Sequence, residues 1–238
     1  MIVLILLAVI GLAVWAYRSY EPLPETIPPA AGEPVPAIDI NAPGRTADQL
    51  LEWSQPIAAD TRIPGQALRA YANAAQVAAE VWPQCHLTWT TLAGVGFVES
   101  RHGRLHGDSD IDADGVVRPT ILGPALDGTS GFAEVPDSDG GALDADTTYD
   151  RAVGPLQFIP QSWEFLGRDG SGDGVADPNN IDDAAVTAAA LLCFDSRDLA
   201  TEKGWTAAIN NYNLSGKYLR EVRDAAAAYA LRKPASLL

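Results

Sequence analysis

One uncharged stretch decides the fold class: LTWTTLAGVGFVES, residues 87–100. Its residues are apolar or small on every side, and the first ionisable side chain that it reaches is Glu99. A helix that is apolar all round is buried in a domain core. Gly103 follows as a stop signal. The stretch therefore predicts a buried helix with a lone carboxylic acid near its C-terminal end.

Helical patterns recur on both sides of this stretch. Pro160 and Gly167 mark the beginning and end of one helix, and Asp182 or Asp183 can cap another. Alternating strand patterns are scarce, and residues 107–150 are rich in glycine and aspartate, as is typical of a long surface loop. The sequence therefore predicts a mainly α-helical domain, with helices over residues 64–82, 87–98, 160–166, 184–193, 205–211 and 218–231.

The N-terminal part has a different composition. Residues 2–16 form an unbroken apolar run, short for a membrane-spanning helix and long for the core of a cleaved signal. Residues 21–43 contain seven prolines, which favour an extended spacer. We therefore expect three parts: a signal-anchor or signal segment over 1–18, a proline-rich linker over 19–60 and a globular domain over 61–238.

Charge and cysteines restrict the partners and the compartment. The chain has 31 acidic and 16 basic residues, a formal net charge of −15, so we expect no nucleic-acid partner. An acidic surface is most often present for solubility and identifies no partner by itself. Cys85 and Cys193 can form a disulfide if the chain is exported, and two separate core thiols are the alternative.

Three short motifs follow one another along the chain: ESRHG at 99–103, GPLQFIPQSW at 154–163 and YN at 212–213. In this order they resemble the signature segments of goose-type lysozymes and lytic transglycosylases, and in particular the membrane-bound lytic transglycosylases of the B type. The resemblance covers roughly residues 67–229. It implies a lysozyme-like, mainly α-helical domain with long surface loops.

Glu99 is the catalytic residue that the resemblance implies. Burial beside apolar groups raises the pKa of a carboxyl and keeps its proton available for donation. A glycosidic oxygen is a poor leaving group until it is protonated, so such an acid suits sugar cleavage. The alternative for Glu99 is a salt bridge with Arg101 or Arg104 at the end of the helix.

The resemblance also implies a groove for the sugar chain. Gln157 carries an amide that can hydrogen-bond sugar hydroxyls or N-acetyl groups, and Phe158 can offer an apolar face to a pyranose ring. Tyr212 would place its hydroxyl near Glu99. The alternatives are a turn contact with a core aromatic for the first pair and a backbone-bonded buried tyrosine for Tyr212. The expected substrate-binding residues are Ser100, Thr148, Tyr149, Gln157, Phe158, Tyr212 and Asn213.

A second pattern, DGSGDGV at 169–175, reproduces the first half of an EF-hand calcium loop. Position twelve of that loop is Asn180 instead of the bidentate glutamate. B-type transglycosylases carry a similar loop closed by a later aspartate, which matches Asp183. The resemblance therefore implies a structural calcium ion, with an acidic turn without metal as the alternative; the expected ligands are Asp169, Ser171, Asp173, Val175 and Asp183.

The function implied is cleavage of peptidoglycan glycan strands between N-acetylmuramic acid and N-acetylglucosamine, leaving 1,6-anhydro ends, with Glu99 as acid and then base and no catalytic cofactor. We expect the chain in the cell envelope, held at the membrane by its N-terminal segment or secreted if that segment is cleaved. One alternative is a goose-type hydrolase that activates water with Asp108, Asp114 or Asp150. The other is a non-catalytic wall-binding module.

Overall fold

The computed structural model describes residues 26–105, 107–129 and 133–236, and this part of the chain is mainly helical, as predicted. The segment 1–18, predicted to be a signal or anchor, lies outside the described residues. Within the described ranges, no helix has the length and apolar character needed to cross a membrane. The helices are α1 (Leu51–Thr61), α2 (Gly65–Val81), α3 (Trp89–Ser100), α4 (Pro160–Leu166), α5 (Ile181–Leu192), α6 (Glu202–Tyr212) and α7 (Gly216–Ala230).

Helix α3 is the buried helix that the sequence predicts. Every residue from Trp89 to Gly96 is buried. The helix packs against α2 on one side and α7 on the other, and α2 in turn packs on α5. The approach of α3 to α7 is close, since a Cβ atom at Gly94 would lie 2.6 Å from the carbonyl oxygen of Val222. The last turn of α3, which carries Glu99, is thereby held beside α7.

The start of α5 differs from the prediction. The side chain of Asn180 caps the helix by accepting a hydrogen bond of 2.9 Å from the backbone N–H of Asp182. Asp182 and Asp183, the predicted caps, lie inside the first turn and are fully buried. Asn180 is an equally good capping residue, and the sequence offers all three candidates within four positions.

The predicted surface loop over 107–150 contains short strands. β1 (Asp110–Ile111) pairs antiparallel with β2 (Val117–Arg118), and β3 (Leu122–Ala125) pairs antiparallel with β4 (Arg151–Val153). The strands are only two to four residues long. Such short strands leave no alternating pattern long enough to detect in a sequence.

The prediction of a linker over 19–60 was wrong in its C-terminal part. A 3-10 turn at Thr46–Leu50 leads directly into α1, and Leu50 and Ile57 are buried in the core of the domain. Pro56 lies inside α1. Because proline is rare within helices, it makes this amphipathic segment look like a continuation of the linker.

Residues 26–45 also lie against the domain, and we call them the strap. The indole Nε1–H of Trp53 donates to the Pro34 carbonyl and that of Trp89 to the Glu33 carbonyl, both at 2.9 Å. The backbone N–H of Thr26 donates to the Thr206 hydroxyl at 2.9 Å. The strap is therefore an extended part of the domain and no free spacer.

A disulfide joins Cys85 to Cys193, with 5.4 Å between the two Cα atoms. The bond was one of two alternatives for these cysteines and is confirmed. It links the loop between α2 and α3 to the end of α5, and it closes a loop of 108 residues. A loop of about a hundred residues corresponds to roughly 4.7 kcal/mol of stabilisation in the chain-entropy description.

Candidate active site

The motif at 154–163 begins with a tight turn between β4 and α4, which we call the site turn (Gly154-Pro155-Leu156-Gln157). Val153 and Phe158 exchange backbone hydrogen bonds of 2.8 and 3.1 Å across it. At Gly154 the backbone φ is +77°, and a Cβ atom would lie 1.9 Å from the carbonyl oxygen of Pro178. Only glycine fits this position, because a side chain would collide with backbone there.

The three sequence motifs meet at the site turn. The hydroxyl of Ser100 donates to the Pro155 carbonyl at 2.5 Å, and the hydroxyl of Tyr212 donates to the Leu156 carbonyl at 2.7 Å. These contacts join positions 55 and 56 residues apart in the chain. The turn therefore ties the end of α3 to the end of α6.

Glu99 is half-buried in the last turn of α3. The hydroxyl of Tyr218 on α7 donates a hydrogen bond of 2.5 Å to its Oε1. Burial raises the pKa of Glu99 from 4.5 to about 7, and the hydrogen bond from Tyr218 opposes this rise. At neutral pH the carboxyl is therefore divided between its protonated and ionised forms, so it can donate a proton and later accept one.

The salt bridge considered as an alternative for Glu99 is not formed within the described residues. Arg101 lies over the ring of Phe97, 4.2 Å from its centre, and donates to the Phe97 carbonyl. Arg104 pairs with Asp110 at 2.7 Å. Both guanidinium groups thus have partners other than Glu99, and its carboxyl keeps its raised pKa.

The charge of Glu99 acts on two nearby tyrosines, Tyr212 and Tyr218, and the one that bonds its carboxyl is not the one in the YN motif. The hydroxyl that contacts the carboxyl belongs to Tyr218, whereas Tyr212 is bonded to backbone, as its alternative interpretation described. The two rings are stacked, with centroids 6.3 Å apart and planes 13° from parallel. Tyr218 belongs to no motif, and the one local signal is its place in the first turn of α7, where Ser215 caps its N–H.

Two residues predicted to bind sugar have structural roles instead. Ser100 is fully buried, and its hydroxyl also accepts the backbone N–H of Gly103 at 2.7 Å. Phe158 is 4% exposed and packs between Trp163 and Tyr212, with ring centroids at 5.4 and 5.8 Å. A phenyl ring enclosed in this way has no open face for a pyranose, so the core interpretation is the right one for Phe158.

Gln157 is half-buried in the site turn, with φ at +52°. Its side-chain N–H donates to the Gly154 carbonyl at 2.8 Å, which is the turn contact considered as its alternative. Among the described residues no donor bonds its side-chain oxygen. The side-chain oxygen of Gln157 can therefore accept a hydrogen bond from a sugar hydroxyl or from an N-acetyl N–H group.

Three further residues predicted to line the groove make no hydrogen bond to Glu99 in the described part of the chain. Thr148 is exposed and Tyr149 half-buried just before β4, and Asn213 is exposed at the C-terminal cap of α6. No hydrogen bond within the described ranges connects any of them to Glu99 or to the site turn. Their role in binding stays a prediction.

The segment predicted to bind calcium, 169–175, folds as a compact loop between α4 and α5. The Asp169 carboxylate accepts backbone N–H groups from Gly172 and Gly174 at 2.7 and 2.8 Å. The Asp183 carboxylate accepts those of Gly170 and Ser171, each at 2.8 Å. The loop is therefore closed by Asp183 from the first turn of α5.

The loop carries oxygen ligands of the kind that calcium prefers, but the carboxylates of Asp169, Asp173 and Asp183 do not all lie within 4.8 Å of one another. Burial, opposed by backbone hydrogen bonds and helped by the charge of Asp169, raises the pKa of Asp183 to about 6. A cation between the two carboxylates would remove this repulsion, and oxygen ligands of this kind suit calcium. Such an ion would tie the loop to α5; the residues that would hold it are Asp169, Ser171, Asp173, Val175 through its carbonyl, and Asp183.

A cavity of 660 Å³ lies elsewhere, beside the disulfide. It is bordered by Trp82, Phe165 and Phe194, together with Cys85 and Cys193. None of the residues around Glu99 lines it. Cavity size alone therefore does not locate the candidate site, whose carboxyl lies at the junction of three motifs.

Comparison of the chain with family models, with curated proteins and with solved structures found no match.

Proposed function

We propose that this chain is a peptidoglycan lytic transglycosylase with Glu99 as its catalytic acid and base. The observation that carries the proposal is the position of Glu99: a carboxyl with its pKa raised to about 7, beside the turn at which the three motifs meet. A glycosidase acid needs a proton that it retains at neutral pH. The same group then needs to be a base strong enough to activate a nucleophile.

In the proposed reaction, the Glu99 carboxyl gives its proton to the β-1,4 glycosidic oxygen, and the bond from that oxygen to C1 of muramic acid breaks. The Glu99 carboxylate then removes the proton from the C6 hydroxyl of the same sugar, and that oxygen bonds to C1. The proton returns to Glu99, so the residue is regenerated. Because the nucleophile belongs to the substrate, this route requires neither a second carboxylate nor a cofactor.

Tyr218 supports both halves of this cycle. Its hydroxyl donates to Oε1 of Glu99, and such a hydrogen bond is strongest when the carboxyl is ionised. It stabilises the carboxylate after proton donation and fixes the direction in which the other oxygen points. Tyr218 is therefore a positioning residue for Glu99.

The finer features belong to the same proposal: a lysozyme-like domain, location in the cell envelope, and attachment to the membrane by residues 1–18. The disulfide between Cys85 and Cys193 supports an oxidising compartment. Peptidoglycan glycan strands are the proposed partner.

A hydrolase of the goose-lysozyme kind would use an aspartate to activate water. Of its three candidates, Asp150 is fully buried, and its two oxygens accept the N–H and the hydroxyl of Ser138 at 2.9 and 2.8 Å. A carboxylate enclosed and bonded in this way is poorly placed to activate water. Asp108 and Asp114 are exposed.

The test is digestion of purified peptidoglycan followed by mass spectrometry of the fragments. We expect 1,6-anhydro ends from the wild type and no soluble fragments from Glu99→Gln, while Glu164→Gln, an exposed glutamate on α4, acts as the matched control and retains activity. Reducing ends in place of anhydro ends would show that the chain is a hydrolase and not a transglycosylase. Equal fragment release by wild type and Glu99→Gln, or none by either, would reject Glu99 catalysis.

A further inference from the structure

The chain makes an unusual reversal directly after Glu99. Arg101, His102 and Gly103 have φ values of +55°, +61° and +84°, so three successive residues are left-handed. Only glycine adopts this region without cost, and the two residues before it need support from their surroundings. Contacts with the rest of the fold must therefore stabilise the left-handed conformation of Arg101 and His102.

His102 supplies that support from inside the core. The residue is 4% exposed, and both of its ring nitrogens are bonded: Nδ1 lies 3.2 Å from the hydroxyl of Tyr71 and Nε2 lies 2.8 Å from that of Tyr229. Burial, with the nearby charges of Arg101 and Arg104, lowers the pKa of His102 to about 3. The ring is therefore neutral in ordinary buffers, with one nitrogen donating and the other accepting.

The two hydroxyls come from the helices on either side of α3. Tyr71 is in α2 and Tyr229 is in α7, the helix that also carries Tyr218. The end of α3 is thus bonded to α7 at two points, through Glu99 to Tyr218 and through His102 to Tyr229. The Phe97 ring packs against both His102 and Tyr229, with ring centroids 5.9 and 6.2 Å away.

We infer that His102 is a positioning residue for Glu99: by joining the reversal after α3 to Tyr71 and Tyr229, it fixes where the Glu99 carboxyl lies relative to α7. This inference rests on the proposed function, since Glu99 is the group that is positioned. A displacement of about 1 Å in a reacting group can cost about a hundredfold in rate. A purely structural histidine would affect stability and leave the carboxyl where it is.

The experiment compares His102→Ala, His102→Gln and Tyr229→Phe. We expect His102→Ala to lower kcat about a hundredfold and Tyr229→Phe about tenfold, because the chemical step depends on the position of the Glu99 carboxyl. We expect KM to stay within about twofold of wild type in both variants, because substrate binding in the groove does not depend on that position. Glutamine keeps one donor and one acceptor, so His102→Gln is expected to recover part of the activity lost in His102→Ala.

His86→Ala is the matched control. His86 also has a positive φ, +53°, and is bonded to a side chain, that of Asp198 at 2.7 Å. It is exposed and lies before the first residue of α3, at the end opposite to Glu99. We expect this variant to keep wild-type kcat. A loss of kcat as large as in His102→Ala would overturn the assignment to His102.

A second measurement follows Glu99 itself by carbon NMR of protein labelled in its glutamate carboxyls, with Glu99→Gln to assign the signal. In wild type we expect the carboxyl to titrate at about pH 7. In His102→Ala and Tyr229→Phe we expect its titration to move toward the ordinary value, because a displaced carboxyl gains water.

The two measurements separate the inference from the proposed function. If wild type cleaves no glycan but the Glu99 titration moves in these variants, the function fails and the positioning by His102 stands. If wild type is active and the folded variants keep both the Glu99 titration and kcat, with only a lower melting temperature, His102 is structural and the inference fails.

Discussion

At the scale of single residues, the raised pKa of Glu99 has an energetic cost. Once the buried carboxyl ionises, it lowers the free energy of unfolding. Its pKa is about 7 in the folded chain against an ordinary 4.5, so between these values the folded state binds more protons than the unfolded state. Stability therefore falls as the pH rises through this window, and the penalty is complete above pH 7. The shift corresponds to about 3 kcal/mol as an upper bound.

The first prediction follows from this fall in stability with rising pH. Glu99→Gln removes the ionisable group, so it should raise the melting temperature more at pH 8 than at pH 5, by several degrees in a domain of this size. Thermal unfolding of wild type and variant at the two pH values checks it. The same gain at both pH values would mean that the carboxyl is not buried as described.

Tyr218 gives the second prediction at this scale. Its hydrogen bond lowers the pKa of Glu99, so Tyr218→Phe should move the loss of activity at alkaline pH to still higher pH. The variant should also lower kcat, by about tenfold, because the ionised carboxylate loses a donor. The pH dependence of glycan release measures both effects, and an alkaline limb that stays in place would exclude the contact.

At the scale of elements, the site turn depends on one glycine. At Gly154 a Cβ atom would lie 1.9 Å from the Pro178 carbonyl, so Gly154→Ala should destabilise the domain by roughly 3 kcal/mol or more, through backbone displacement and a positive φ. Gly140→Ala is the control, since Gly140 has φ at +72° but open space around it. We expect it to cost only about 1 kcal/mol. Denaturant unfolding compares the two, and equal losses would contradict the close contact.

The sequence predicted the elements whose signals are local. Helix α3 was visible as an uncharged run, and α4 was visible because Pro160 and Gly167 mark its two ends. Helix α1 was hidden by Pro56, and Asn180 was one of three capping candidates within four positions. These differences are local ambiguities that only tertiary packing resolves.

The candidate site was also predicted only in part from the sequence. Glu99 and Tyr212 stand in motifs, and the structure brings both to the site turn region. The contact of Tyr218 with Glu99 crosses 119 positions in the chain, and the burial of Phe158 is set by Trp163 and Tyr212. Neither fact has a signal in a single sequence, because each depends on how helices pack.

At the scale of the whole molecule, the predicted calcium loop over 169–175 makes the stability of the fold depend on pH and, if the ion binds, on calcium. The buried Asp183 has a raised pKa, about 6, so without metal it destabilises the fold as the pH rises from about 4 to about 6. Calcium should replace the proton, and its stabilising effect should therefore be larger at pH 7 than at pH 5.

Calcium at a hundred times its Kd should add about 2.7 kcal/mol, a rise in melting temperature of several degrees. Asp183→Asn should abolish this rise, whereas Asp114→Asn, in an exposed loop, should keep it. Calorimetry with calcium and with chelator checks it. A melting temperature that ignores calcium at both pH values would favour an acidic turn without metal.

If residues 1–18 anchor the chain as proposed, the strap also limits how far the domain can lie from the membrane. Because Thr26 is already bonded to Thr206, residues 19–25 are all that separates the proposed anchor from the domain surface. Even fully extended at about 3.5 Å per residue, they reach roughly 25 Å. With both the proposed anchor and the proposed activity, the domain would act only on the glycan strands nearest the membrane, and the outer layers of the wall would lie beyond its reach.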